Sequence, residues 1–130
     1  MTVQLDGPGV TVGDVLAVSR DGDDVVLTTA ALDRMQKARD VVDQLAEGLP
    51  KYGISTGFGA LANVWIPADR RRALQIALVR AHAAGMGPPV EEEVVRAMVF
   101  LRARTLALGN SGARPIVAKA MVDILNAGIT

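Results

Sequence analysis

Three stretches of this chain repeat apolar residues at helical spacing, and each is bounded by glycine or proline, so the chain is constrained to a packing of helices. Over about residues 30–47, Leu32, Met35, Val42, Leu45 and Leu49 fall near one side, with Asp33, Lys37, Asp40 and Asp43 on the other. Thr28 and Thr29 can cap this helix, and Gly48 and Pro50 stop it. Over 90–108, Val94, Met98, Leu101, Thr105 and Leu108 share one face, with Val95, Val99 and Leu106 beside it and Glu91, Glu92 and Glu93 in the first turn. From Pro115, Val117, Ala120, Met121 and Ile124 are expected to face inward, and Asn126-Ala127-Gly128 ends the helix. Pro67 opens a further helix, in its first turn, running to about Ala84. The beginning reads as short elements: Val3-Gln4-Leu5 and Val25-Val26-Leu27 as strands, and a helix through Val15, Leu16 and Val18 behind the capping pair Thr11 and Asp14. Half the residues are apolar but only 3% are aromatic. The core is therefore aliphatic, and the expected class is mainly α with one or two short strands near the N-terminus.

Charge and composition exclude several functions. Acids and bases balance at 14 each, so no net field draws nucleic acid or an anionic membrane. Residues 1–50 hold nine acids and four bases, residues 51–130 five acids and ten bases. There is no cysteine and one histidine, which removes disulfides, thiolate nucleophiles and multi-histidine metal sites; no metal is expected. Met1-Thr2-Val3-Gln4-Leu5-Asp6 lacks the basic and apolar regions of a secretory signal, and the uncharged run from Tyr52 to Ala68 is broken by glycines and a proline. A soluble, cytoplasmic chain is expected.

Four features could carry chemistry. Gly57-Phe58-Gly59-Ala60-Leu61-Ala62 has the form of a dinucleotide fingerprint, but helix onset falls at Pro67 and no acid follows about 20 residues on. The plainer reading is a surface loop, against which stand its Tyr and Phe in an uncharged segment. Tyr52, the only tyrosine, serves as a general acid or base only where a site perturbs its pKa, and is otherwise a packed ring with a hydrogen-bonded hydroxyl. His82 shares a helix face with Gln75 and Val79 and suits either a structural role or proton transfer and recognition. Arg70-Arg71-Arg72 spreads around its helix and suits a solvated face or a subunit contact better than phosphates.

Together these pieces resemble a known family. Tyr52-Gly53-Ile54-Ser55-Thr56-Gly57-Phe58-Gly59 is similar to the Tyr-Gly-x-x-Thr-Gly-Phe-Gly loop of the aromatic amino acid ammonia-lyases. Leu78-Val79-Arg80-Ala81-His82-Ala83-Ala84-Gly85-Met86-Gly87 resembles the next helix end in histidine-specific members. Gly109-Asn110-Ser111-Gly112-Ala113-Arg114-Pro115 and Leu125-Asn126-Ala127-Gly128-Ile129-Thr130 match two further stretches in the same order.

The resemblance implies elimination of ammonia from L-histidine to give trans-urocanate, in histidine catabolism. It implies Tyr52 as the catalytic acid/base group, His82, Ala81 and Gly59 against the substrate, and Gly53 and Gly57 as hinges of a loop over the site. It also implies a homotetramer and an electrophile, 4-methylideneimidazole-5-one, made from an internal Ala-Ser-Gly. That tripeptide is absent from these 130 residues. Residues 1–130 are therefore expected to be the N-terminal part of a longer subunit, inactive alone. Ala81 stands where histidine-specific members commonly carry Ser and tyrosine-specific ones His, so a phenylalanine or tyrosine lyase or aminomutase stays open. So does a non-catalytic helical interaction module.

Overall fold

Two short strands start the chain and cannot pair through a tight turn, because they run parallel and need a crossover. In the computed structural model, which describes all of residues 1–130, β1 (Thr2–Leu5) pairs in parallel with β2 (Asp24–Leu27), in register Thr2 to Asp24 through Leu5 to Leu27. The crossover is α1 (Val12–Ser19). Its capping box forms as expected: Asp14 N–H donates to Thr11 Oγ1 at 3.2 Å, and Thr11 N–H donates to Asp14 Oδ2 at 2.8 Å. After β2 come α2 (Thr29–Ala46), α3 (Ala68–His82), α4 (Glu92–Ala107) and α5 (Pro115–Asn126). The mainly helical class with two strands near the N-terminus is thus the observed one. Thr28, not Thr29, caps α2, its Oγ1 accepting from Ala31 N–H. No helix is long and apolar enough to cross a membrane.

The chain divides into two compact units, Met1–Asp40 with Pro89–Thr130, and Val41–Pro88. The first unit owns the core: Leu5, Val18, Val25, Ala31, Phe100, Ala103, Ala107, Val122 and Leu125. Phe100 is its one ring, and Ala103 and Ala107 on the same face of α4 leave room for the neighbouring elements to close in. Three polar groups pin this unit. Arg96 is buried, its Nε donating to Val18 O and its Nη1 to Leu125 O, so one guanidinium serves the carbonyl ends of α1 and α5. Asn126 accepts from Val25 N–H at 2.8 Å and donates to Val25 O at 2.9 Å, continuing the strand ladder with a side chain. Arg34 donates to the backbone and carboxylate of Asp6. The end of α5 closes as its sequence suggests, with Gly128 N–H donating to Leu125 O and Ile129 N–H to Ile124 O.

The expected inward faces of α4 and α5 need correction. Arg96, Phe100, Ala103, Leu106 and Ala107 are buried on α4, whereas Val94, Met98 and Leu101 are exposed. On α5, Ala118, Val122 and Leu125 are buried and Val117 and Ile124 exposed. Both helices are apolar on two sides. Large aliphatics occupy both sides, and the inner one adds small residues, a ring and an arginine stem to Leu106, Val122 and Leu125. On α2, Ala31 and Met35 are buried but Leu45 is exposed, as is Leu49 beyond the helix end.

Candidate active site

The candidate groups all lie in the second unit, Val41–Pro88. Residues 51–66 are not an open loop, as expected from their glycines, but a turn knitted by its own hydrogen bonds. Ile54 and Ser55 N–H both donate to Lys51 O, and Lys51 N–H donates to Ser55 Oγ. Gly57 N–H donates to Val64 O at 3.0 Å and Ile66 N–H to Ser55 O at 2.9 Å, which pairs Thr56 with Trp65 as a single antiparallel bridge. A 3₁₀ turn, Gly59–Leu61, reverses the chain between the two arms. Ser55 and Thr56 are buried, and Thr56 Oγ1 accepts from Gly53 N–H while donating to Gly57 O. These two hydroxyls, passed over in the sequence, satisfy a backbone that has no helix or sheet to do so.

The three glycines of this loop serve different needs. Gly53 has φ +71°, and an added Cβ would come within 3.2 Å of the Phe58 ring. Gly59 has φ +54° with open space around it. Gly57, expected as a hinge, does not take a positive φ. It is instead blocked by Leu61, whose Cβ and O would lie 2.6 and 2.8 Å from an added Cβ.

This scaffold presents Tyr52. Its ring meets Phe58 edge-on, centroids 5.9 Å apart at 78°, and is otherwise 65% exposed. Behind the loop, Arg71 of α3 donates from Nε to Ile66 O and from Nη1 to Ala46 O, tying the end of the loop to the end of α2. The arginine run read as a solvated face thus contains one structural member; Arg70 and Arg72 are exposed. Pro67 stands just before α3 as its cap residue rather than inside its first turn. At the other end of α3, Ala81 and His82 are exposed, and His82 Nδ1 sits 2.8 Å from Leu78 O. Tyr52, Gly53, Gly57 and Gly59 are therefore brought together in one ordered turn, and Ala81 and His82 at one helix end. The two rings share no hydrogen bond. Not one residue of α3 is buried.

No three His, Cys, Asp or Glu side chains gather as a metal site. A concavity in the first unit, lined by Ser19, Arg20, Glu92, Glu93, Arg96 and Asn126, holds none of these residues. Three of its charged groups are engaged: Arg20 pairs with Glu93 at 2.7 Å, and Arg96 serves the carbonyls described above.

The chain is thus a helical one that presents an exposed phenol from a braced turn and an exposed imidazole from a helix end. The sequence profile of the aromatic amino acid lyases matches residues 10–130. The chain belongs to that family. It is 54% identical over 130 residues to a histidine ammonia-lyase from Streptomyces griseus, covering 99% of this chain and 25% of that protein. It is similar to the solved tyrosine aminomutase from Streptomyces globisporus, with a TM-score of 0.93 and 36% identity over 100% of this chain and 25% of the other. It is also similar to the solved histidine ammonia-lyase from Trypanosoma cruzi, with a TM-score of 0.85 and 32% identity over 98% of this chain and 24% of the other. The chain spans about a quarter of the length of the curated relatives it matches.

Proposed function

We propose that this chain is the N-terminal part of a histidine ammonia-lyase that eliminates ammonia from L-histidine to give trans-urocanate. The observation that carries the reading is the braced turn of residues 51–66. It holds Tyr52 outward and exposed, with its hydroxyl free of protein partners, in the motif that matches the family's acid–base tyrosine. On this reading Tyr52, as its phenolate, takes the proton from the substrate's Cβ; the freed pair forms the Cα=Cβ bond as the Cα–N bond breaks and ammonia leaves. His82 and Ala81 face the substrate side chain, and Gly59 keeps the turn clear where the substrate passes. The assembly is a cytoplasmic homotetramer.

The family's electrophile, 4-methylideneimidazole-5-one, comes from Ala-Ser-Gly. The single Ser-Gly pair here, Ser111-Gly112, follows Asn110 in the turn between α4 and α5. These residues do not fit that group, and no step of the reading passes through it.

Reading the coding frame past Thr130 tests this. The proposal expects a continuing frame with Ala-Ser-Gly, urocanate absorbance when the longer protein meets L-histidine, and none from the 130-residue chain alone. A stop directly after Thr130, or turnover by this chain alone, contradicts it. Ala81, with the similarity to a tyrosine aminomutase, favours an aryl amino acid as the second reading; a panel of L-histidine, L-tyrosine and L-phenylalanine on the longer protein separates the two.

A further inference from the structure

His82 closes the last turn of α3, and its Nδ1 lies 2.8 Å from the carbonyl oxygen of Leu78, one turn back. A carbonyl oxygen only accepts, so Nδ1 must carry a proton. In the neutral ring the other nitrogen, Nε2, is then a bare lone pair. Among residues 1–130 only Nδ1 is hydrogen-bonded, and His82 is exposed. Ala81, its neighbour, brings no polar side-chain atom.

We infer that the Leu78 carbonyl sets the tautomer of His82, so that this histidine recognises by accepting and selects a substrate side chain bearing an N–H or O–H donor. The inference rests on the reading of His82 as substrate-facing and adds the sense of the hydrogen bond. An imidazole or a phenol meets the requirement; a plain phenyl ring leaves Nε2 without a partner. Leu78 acts here as a positioning residue through its backbone alone. It holds the ring against the helix and chooses which nitrogen is offered outward.

The chain has one histidine, so nitrogen NMR of histidine-labelled protein reads this ring alone. At alkaline pH, with the ring neutral, the expected pattern is a pyrrole-type Nδ1 and a pyridine-type Nε2, in the 130-residue chain and in the longer protein. A pyridine-type Nδ1, or two averaged nitrogens, overturns the inference. In the longer enzyme, His82→Gln keeps an acceptor whereas His82→Lys has donors only. KM for L-histidine is expected to rise at least about tenfold more in His82→Lys than in His82→Gln, with the smaller change in kcat. Equal KM values overturn the inference as well. The resonance pattern is independent of turnover. Failure of every amino acid in the longer protein would therefore strike the proposed function, and the wrong tautomer would strike this inference.

Discussion

Gly57 and Gly59 are two residues apart, yet an alanine should damage them for different reasons. At Gly57 the new Cβ would stand 2.6 Å from Leu61 Cβ and 2.8 Å from Leu61 O. Carbon atoms pack at ~3.5 Å or more, so Leu61 must retreat by about 0.9 Å. Leu61 cannot do so freely. Its N–H donates to Phe58 O at 2.9 Å, its O accepts from Val64 N–H at 3.0 Å, and Val64 O accepts from Gly57 N–H. Overpacking of this kind costs about 1–3 kcal/mol. A middle value of about 2 kcal/mol makes the amides of Gly57 and Val64 exchange roughly thirtyfold faster through local opening. At Gly59 an alanine meets nothing within 4 Å and only has to hold φ near +54°, which costs roughly 1 kcal/mol. Asparagine tolerates that φ but is larger. Amide exchange of residues 51–66 should therefore find Gly59→Asn milder than Gly59→Ala, and Gly57→Asn worse than Gly57→Ala. The same order at both positions would refute the distinction between a blocked glycine and a left-handed one.

Two further outcomes concern the first unit. Asn126→Ala leaves the N–H and C=O of fully buried Val25 without their side-chain partner, and should lower unfolding stability by about 2–3 kcal/mol in urea; a loss below about 0.5 kcal/mol would remove Asn126 from the ladder. The hydroxyl of Thr28, and then the guanidinium of Arg34, bond to the Asp6 carboxylate and hold it below its ordinary value of 3.8. A depressed carboxylate stabilises the fold above that ordinary value and loses its contribution as pH falls through it and below. The urea midpoint of the native chain should accordingly fall more steeply than that of Asp6→Asn once pH drops below about 4, and parallel acid limbs would contradict the bond.

The elements were legible because their signals are local. Thr11 with Asp14, Thr28, Gly48 with Pro50, and Asn126-Ala127-Gly128 act within a turn of themselves, and a single sequence records them. The facing of α4 and α5 was not. Both helices carry apolar residues on two sides, and periodicity alone cannot say which side meets Phe100. Arg96 reads as a surface charge until two helix ends converge on it, a fact that depends on residues 78 and 29 positions away. In the site, the positions of Tyr52 and His82 came from motif resemblance. The bracing of the turn by Ser55, Thr56 and Arg71 lay hidden in ordinary residue types. A serine–threonine pair inside an uncharged run was the one available signal, since their hydroxyls can replace missing backbone partners.

Tyr52 carries the proposed chemistry, and kcat of Tyr52→Phe in the longer enzyme tests that role most directly. The ring is 65% exposed and its edge contact with Phe58 survives the change, so folding and thermal midpoint should not move. Loss of the hydroxyl should lower kcat for urocanate formation by about 10²–10⁴, the span of general acid–base catalysis. A folded Tyr52→Phe enzyme with kcat within about twofold of the native one would contradict the account.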